Sequence, residues 1–212
     1  VNTEKEMTTA EIYAAYVGSS VGITVDIVST NVFGQTVTNA AAGSGFVITE
    51  DGYILTNYHV IEGAKKITVR LRNGKSRSAS VVGYDEGNDI AVLKIGGSGY
   101  TAATIGKSKK VQVGDLAVAI GNPLGQLGGT TTSGIISALD RQLSINGKKL
   151  TLLQTDTAIN PGNSGGGLFN GKGELIGLVV AKGSGTGIEG LGFAIPVDTA
   201  APIIDDIIKN GT

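Results

Sequence analysis

From Val21 to Ile195 the sequence keeps returning to one unit, a short run alternating apolar and polar residues and then a turn signal. Such a unit fits a half-buried strand and nothing longer. Ile23, Val25 and Ile27 alternate with Thr24 and Asp26, and Ile67, Val69 and Leu71 alternate with Lys66, Thr68, Arg70 and Arg72 before an Asn73-Gly74 hairpin turn. This spacing predicts strands from Val21 and over Gly45–Thr49, Tyr53–Thr56, Lys66–Arg72, Ser80–Asp85 and Ile90–Ile95. Residues 97–110, rich in Gly, Ser, Thr and Lys, read as a linker. A second set follows over Leu116–Gly121, Thr130–Ala138, Leu150–Thr155, Gly167–Phe169, Glu174–Ala181 and Gly192–Ile195. With 34 glycines and only 4 prolines, the chain has the means for many tight turns. The expected class is all-β, with one small barrel over residues 21–96 and another over 111–197.

The flanks read differently. In residues 1–20, Thr8-Thr9-Ala10-Glu11 is a capping-box start to a short helix with Ile12, Tyr13, Tyr16 and Val17 on one face. That face suits packing on the domain and contact with another copy equally well. In residues 198–212, Asp198 is the expected N-cap of a helix carrying Ile203, Ile204, Ile207 and Ile208, stopped at Asn210-Gly211.

Composition removes several functions. A net charge of −1, with the basic residues scattered apart from Lys107, Lys109 and Lys110, gives no footprint for nucleic acid or an anionic membrane surface. Without cysteine there is no disulfide, no thiol nucleophile and no thiolate metal site. One histidine and scattered carboxylates lack metal-ligand spacing, so neither a metal nor a cofactor is expected. No apolar run of about 18 residues is present. A start at Val1 leads to the expectation that an upstream piece, such as a membrane anchor, has been removed. Two phosphate-binding look-alikes fail on context. Gly106-Lys107-Ser108 lacks its first glycine, which would fall at Thr101, and Gly185–Gly190 (GxGxxG) leads into a strand-like Leu-Gly-Phe-Ala-Ile and not a helix.

What remains is Ala158-Ile-Asn-Pro-Gly-Asn-Ser-Gly-Gly-Gly-Leu168, which sets Ser164 among glycines able to turn their N–H groups inward. A serine hydroxyl needs a neighbouring base with a pKa near 7, which imidazole supplies. The only histidine is His59, expected at a strand end. A buried carboxylate should orient it. Asp89, directly before the apolar strand Ile90–Ile95, fits best, while Asp85 and Asp156 stay open on sequence logic alone.

With these residues in view, the chain resembles the protease domain of the HtrA/Deg family of trypsin-like serine proteases. The matching pieces are Gly43-Ser-Gly-Phe-Val47, Leu55-Thr-Asn-Tyr-His-Val60, Asp89-Ile-Ala-Val-Leu-Lys94, Ala119-Ile-Gly-Asn-Pro-Leu-Gly125, Thr132-Ser-Gly-Ile-Ile-Ser137, Leu153-Gln-Thr-Asp156, Ile159-Asn-Pro-Gly-Asn-Ser-Gly-Gly166 and Gly192-Phe-Ala-Ile-Pro196. The resemblance implies two six-stranded antiparallel barrels of the trypsin/chymotrypsin type. It also implies His59 as general base, Asp89 as orienting acid, Ser164 as nucleophile, and an oxyanion hole over Gly162, Asn163 and Ser164. Two departures stand out. The family's PDZ-type domain is absent from these residues, and Gly167 replaces the Pro or Ala often found there, which should loosen the serine loop.

Six residues before Ser164, where trypsin-like enzymes that cut after Lys or Arg carry a carboxylate, stands Ala158, followed by Ile159. A buried cation would lack its partner there, so the expected residue before the cut is a small or medium aliphatic one. The stretch Val180-Ala181-Lys182 is expected to pair with substrate backbone as an added strand, which suits unfolded polypeptides. The family implies loop control through Gly121–Gly129, Arg141–Lys149 and Gly183–Gly190, a homotrimer in which Tyr13 and Tyr16 take part, and an extracytoplasmic setting such as the periplasm or cell surface. The rival reading is a peptide-binding or chaperone module that uses the cleft without cutting.

Overall fold

The computed structural model describes residues 5–30, 33, 35–122, 129–145, 147–160, 163–180 and 191–211. A first sheet is built from β1 (Ser20–Thr30), β2 (Thr36–Val47), β3 (Tyr53–Thr56), β4 (Ala64–Arg70), β5 (Ser76–Asp85) and β6 (Ile90–Ile95). It closes antiparallel in the order β1-β2-β3-β6-β5-β4. A second holds β7 (Leu116–Gly121), β8 (Thr130–Ile145), β9 (Lys148–Thr155), β10 (Gly167–Phe169), β11 (Leu175–Val180) and β12 (Gly192–Pro196). It closes in the order β10-β11-β12-β9-β8-β7.

The period-two pattern has a spatial meaning. In β6, Ala91, Leu93 and Ile95 fill the first barrel, while Ile90 and Val92 point the other way into a cluster shared by both barrels. In β7, Ala117 and Ala119 fill the second barrel, and Val118 and Ile120 join that same seam with Phe46, Leu55 and Phe193. Strands buried on both faces read as continuous apolar runs. Truncating one such side chain to Ala costs about 2–5 kcal/mol, a large part of a domain's net stability, so the barrels are fixed against each other.

Helix α1 (Thr9–Tyr16) begins on the expected capping box: Glu11 N–H donates to Thr8 Oγ1 (3.2 Å) and Thr8 N–H to Glu11 Oε2 (2.7 Å). Its apolar face packs on its own domain. Tyr16 stacks on Phe169 with centroids 4.9 Å apart and donates to Thr104 Oγ1. Helix α3 (Val197–Asn210) corrects one expectation, since its N-cap is Pro196 and Asp198 lies in the first turn. The Asp198 carboxylate is recruited by the 3-10 turn Ser108–Lys110, accepting from Ser108 Oγ–H (3.0 Å) and Lys109 N–H (2.6 Å). Gly167 is also corrected. It opens β10 instead of loosening a loop, and an added Cβ would lie 2.7 Å from Phe169 Cε2. Residues 141–145 and 148–149, expected in a control loop, form the ends of the β8–β9 hairpin.

Candidate active site

Each barrel delivers its part of the site at the seam. After β3 the chain turns into a one-turn helix, α2 (Tyr58–Ile61), so His59 stands on a helix and not at a strand end. Asp89 closes the turn before β6. Asp85 caps that turn, its carboxylate accepting from Asn88 N–H (2.9 Å) and Asn88 Nδ2–H (2.8 Å). Asp156 accepts from Ile135 N–H (2.7 Å). Both alternatives to Asp89 are therefore occupied elsewhere.

Asp89 is 3% exposed and adopts a left-handed φ of 56°. Burying a carboxylate is costly unless it is paired and hydrogen-bonded. Here Oδ1 accepts from His59 N–H (2.9 Å) and Oδ2 lies 2.7 Å from His59 Nδ1. The carboxylate contact sets the tautomer with Nδ1 protonated. Nε2 is then left as an acceptor, and it lies 3.1 Å from Ser164 Oγ. Next to this chain, the Tyr58 phenol is held above its usual range by burial and then by Glu86 and Glu62, so it stays neutral.

Ser164 rests against the first barrel. Its carbonyl accepts from Ser44 N–H (2.8 Å), and Ser44 Oγ accepts from Asn122 N–H (2.9 Å). The next residue must be glycine. Gly165 has φ 83°, and a Cβ there would overlap the Ser44 carbonyl oxygen and fall 2.5 Å from Thr56 Oγ1. Gly165 N–H donates to Val179 O (2.9 Å) and Val179 N–H to Gly166 O (2.8 Å), tying the loop to β11, while Gly166 N–H closes a turn on Asn163 O (2.8 Å). Asn163 N–H donates back to Asn160 O (3.0 Å), closing a turn. Gly162, Ala181 and Lys182 lie outside the described residues.

Ala158 is exposed, and its carbonyl accepts from Thr132 Oγ1–H (2.9 Å). Ile159 is half-buried against the second barrel's core, next to Gly192, where an added Cβ would come within 2.6 Å of Ile159 Cγ1. The Val180 side chain is fully buried in the seam, leaving its backbone as the part that can meet a substrate. Sequence reasoning missed Ser44, Thr56 and Asn57, all buried polar residues around the site. The signal was available: each is a polar residue inside or beside an otherwise apolar segment.

Two antiparallel barrels that meet on an aspartate–histidine–serine chain of contacts define the trypsin-like class of peptidase domains. Residues 43–178 match the family described as "Trypsin-like peptidase domain". "Serine protease Do-like HtrB" of Bacillus subtilis is 46% identical over 177 residues, covering 79% of this chain and 39% of that protein. A relative in Chlamydia trachomatis, "Probable periplasmic serine endoprotease DegP-like", is 48% identical over 175 residues, covering 82% of this chain and 35% of that protein. The solved structure "HtrA-type protease AlgW with decapeptide" superposes with a TM-score of 0.83 at 35% identity, covering 97% of this chain and 69% of that one. The chain thus belongs to the HtrA-type branch of the trypsin-like serine proteases, and it spans well under half the length of these two curated relatives.

Proposed function

We propose that the chain is the serine endopeptidase part of an HtrA-type protein, hydrolysing peptide bonds of unfolded or misfolded polypeptides in protein quality control. The unbroken contact from Asp89 through His59 to Ser164, at 2.7 and 3.1 Å, carries this reading. His59 Nε2 takes the Ser164 proton as Oγ attacks the scissile carbonyl carbon. The tetrahedral oxyanion collapses to an acyl-enzyme as His59 returns the proton to the leaving amine. His59 then deprotonates a water that attacks the ester carbonyl carbon, and the imidazolium returns that proton to Ser164 Oγ as the ester C–O bond breaks, releasing the new carboxyl end and free Ser164. Asp89 stays ionised throughout and favours the imidazolium. Backbone N–H groups of Gly162 and Ser164 are the proposed oxyanion donors. Asn163, whose N–H is already used by Asn160 O, shapes the turn between them.

Ala158 and Ile159 bring no carboxylate to the specificity pocket, so cleavage follows small or medium aliphatic residues. Substrate backbone pairs along residues 180–182 as an added strand. Control of the oxyanion hole by residues 121–129 and 183–190 is part of the same reading. The name of the Chlamydia relative, a probable periplasmic endoprotease, supports a periplasmic or otherwise extracytoplasmic setting. Among the described residues no helix is long and apolar enough to cross a membrane. In the homotrimer that the family implies, Tyr13, half-buried beneath Arg72, is the available aromatic, since Tyr16 is buried within its own chain.

The test is incubation of the chain and Ser164→Ala with casein, followed by mass spectrometry of the ends produced. Serine-dependent cuts after Val, Ala, Ile or Leu are expected. Absence of such cuts would overturn the peptidase reading in favour of a non-cleaving chaperone, and cuts after Lys or Arg would overturn the pocket assignment.

A further inference from the structure

Among the described residues the Asp89 carboxylate is held through His59 alone, by that residue's backbone N–H on one oxygen and its ring on the other. Its aim therefore depends on the backbone beneath it, which sits in the left-handed region that non-glycine residues rarely occupy. Among the described residues three bonds hold that backbone: Asp89 N–H donates to Glu86 O, and Asp89 O accepts from Tyr58 N–H (3.2 Å) and Asn57 Nδ2–H (3.1 Å). Asn57 is the one side chain among them. It is fully buried, and its Oδ1 has no hydrogen-bond partner among the described residues. Turning the amide over would set Oδ1 against the Asp89 carbonyl oxygen, so the bond to Asp89 fixes the orientation and leaves the oxygen unpaired. An orphaned buried acceptor is destabilising, and a core position that keeps one calls for a reason other than stability.

We propose that Asn57 is a positioning residue for the proposed peptidase reaction: its amide pins the left-handed Asp89 backbone so that the carboxylate faces His59. This rests on the triad reading above. Asn57 acts through Asp89 and touches no reacting atom.

The test measures steady-state casein cleavage by wild type, Ser164→Ala, Asn57→Leu, Asp89→Asn and the Asn57→Leu/Asp89→Asn double variant, with thermal unfolding of each. Leucine matches the amide in size and removes both the donor and the orphaned oxygen. Asn57→Leu should lower kcat roughly 10–100-fold, the range typical of residues that orient a site group from behind, with KM changed less than about twofold. Its Tm should stay within about 4 °C of wild type. In the Asp89→Asn background the same change should cost less than about twofold, because the group it positions is already disabled. If wild type cuts no better than Ser164→Ala, the triad reading falls and this inference with it. If wild type cuts and Asn57→Leu matches its kcat, only the role of Asn57 is overturned. An equal loss with and without the Asp89 carboxylate assigns Asn57 to general structure and also overturns it. Should Asn57→Leu lose its cooperative melt, Asn57→Ala is judged by the same kcat criteria.

Discussion

The two halves of the site are built on different principles. The His59–Asp89 half lies within one barrel and is held by directed hydrogen bonds from buried side chains and helix backbone, with Asp89, Tyr58 and Asn57 closing on one another. The Ser164 half is held by the absence of side chains. Gly165 lets the loop press on Ser44 and Thr56, and the bonds that fix it run backbone to backbone, from Ser44 across the seam and to Val179 within the second barrel. Changes to the side chains of the first half should therefore damage chemistry more than folding, and changes to the glycine packing that supports Ser164 should damage both.

The largest effect belongs to the nucleophile: Ser164→Ala should lower casein turnover by about 10⁶ with an unchanged melt, as expected when a serine nucleophile is removed. Gly165→Ala should break the seam. It adds left-handed strain of about 1–2 kcal/mol and an overlap with Ser44 worth roughly 1–3 more, so Tm and turnover should fall together. A Gly165→Ala protein with wild-type Tm would erase the contrast between the halves. Ser44→Ala is milder. It strips the acceptor from Asn122 N–H, leaving a buried donor unpaired at a cost of about 1–3 kcal/mol, read as a lower denaturant midpoint.

Smallest is a change remote from both halves. Backbone and side-chain hydrogen bonds from Thr8 hold the Glu11 carboxyl below its usual range. A carboxyl depressed in the folded state contributes fully above its unfolded pKa and loses that contribution as pH falls through the folded one. Protection of the α1 amides, measured relative to their intrinsic exchange rates at each pH, should therefore fall on acidification, and Thr8→Ala should remove that dependence.

The same contrast explains what could be read in advance. His59 and Ser164 stood out because one is the sole histidine and the other sits in a glycine loop. Asp89 could not be separated from Asp85 and Asp156 by residue type, since the separation depends on which turn each carboxylate caps. The Asn57–Asp89 bond joins residues 32 apart and leaves no local pattern. Strand existence was legible wherever one face is buried. The first half of β2, Thr36–Ala42, was missed because it is exposed on both faces and so carries no alternation. The outer end of β8 lost its signal in the same way, with Leu139–Gln142 exposed in succession.

The most direct measurement of whether the halves act as one site is labelling by a fluorophosphonate, in which a serine oxygen displaces fluoride from phosphorus, read by peptide mass spectrometry on wild type and His59→Ala. The geometry predicts a single adduct on the peptide carrying Ser164 and its loss in His59→Ala. No adduct in wild type, an adduct on another serine, or equal labelling without His59 would contradict it.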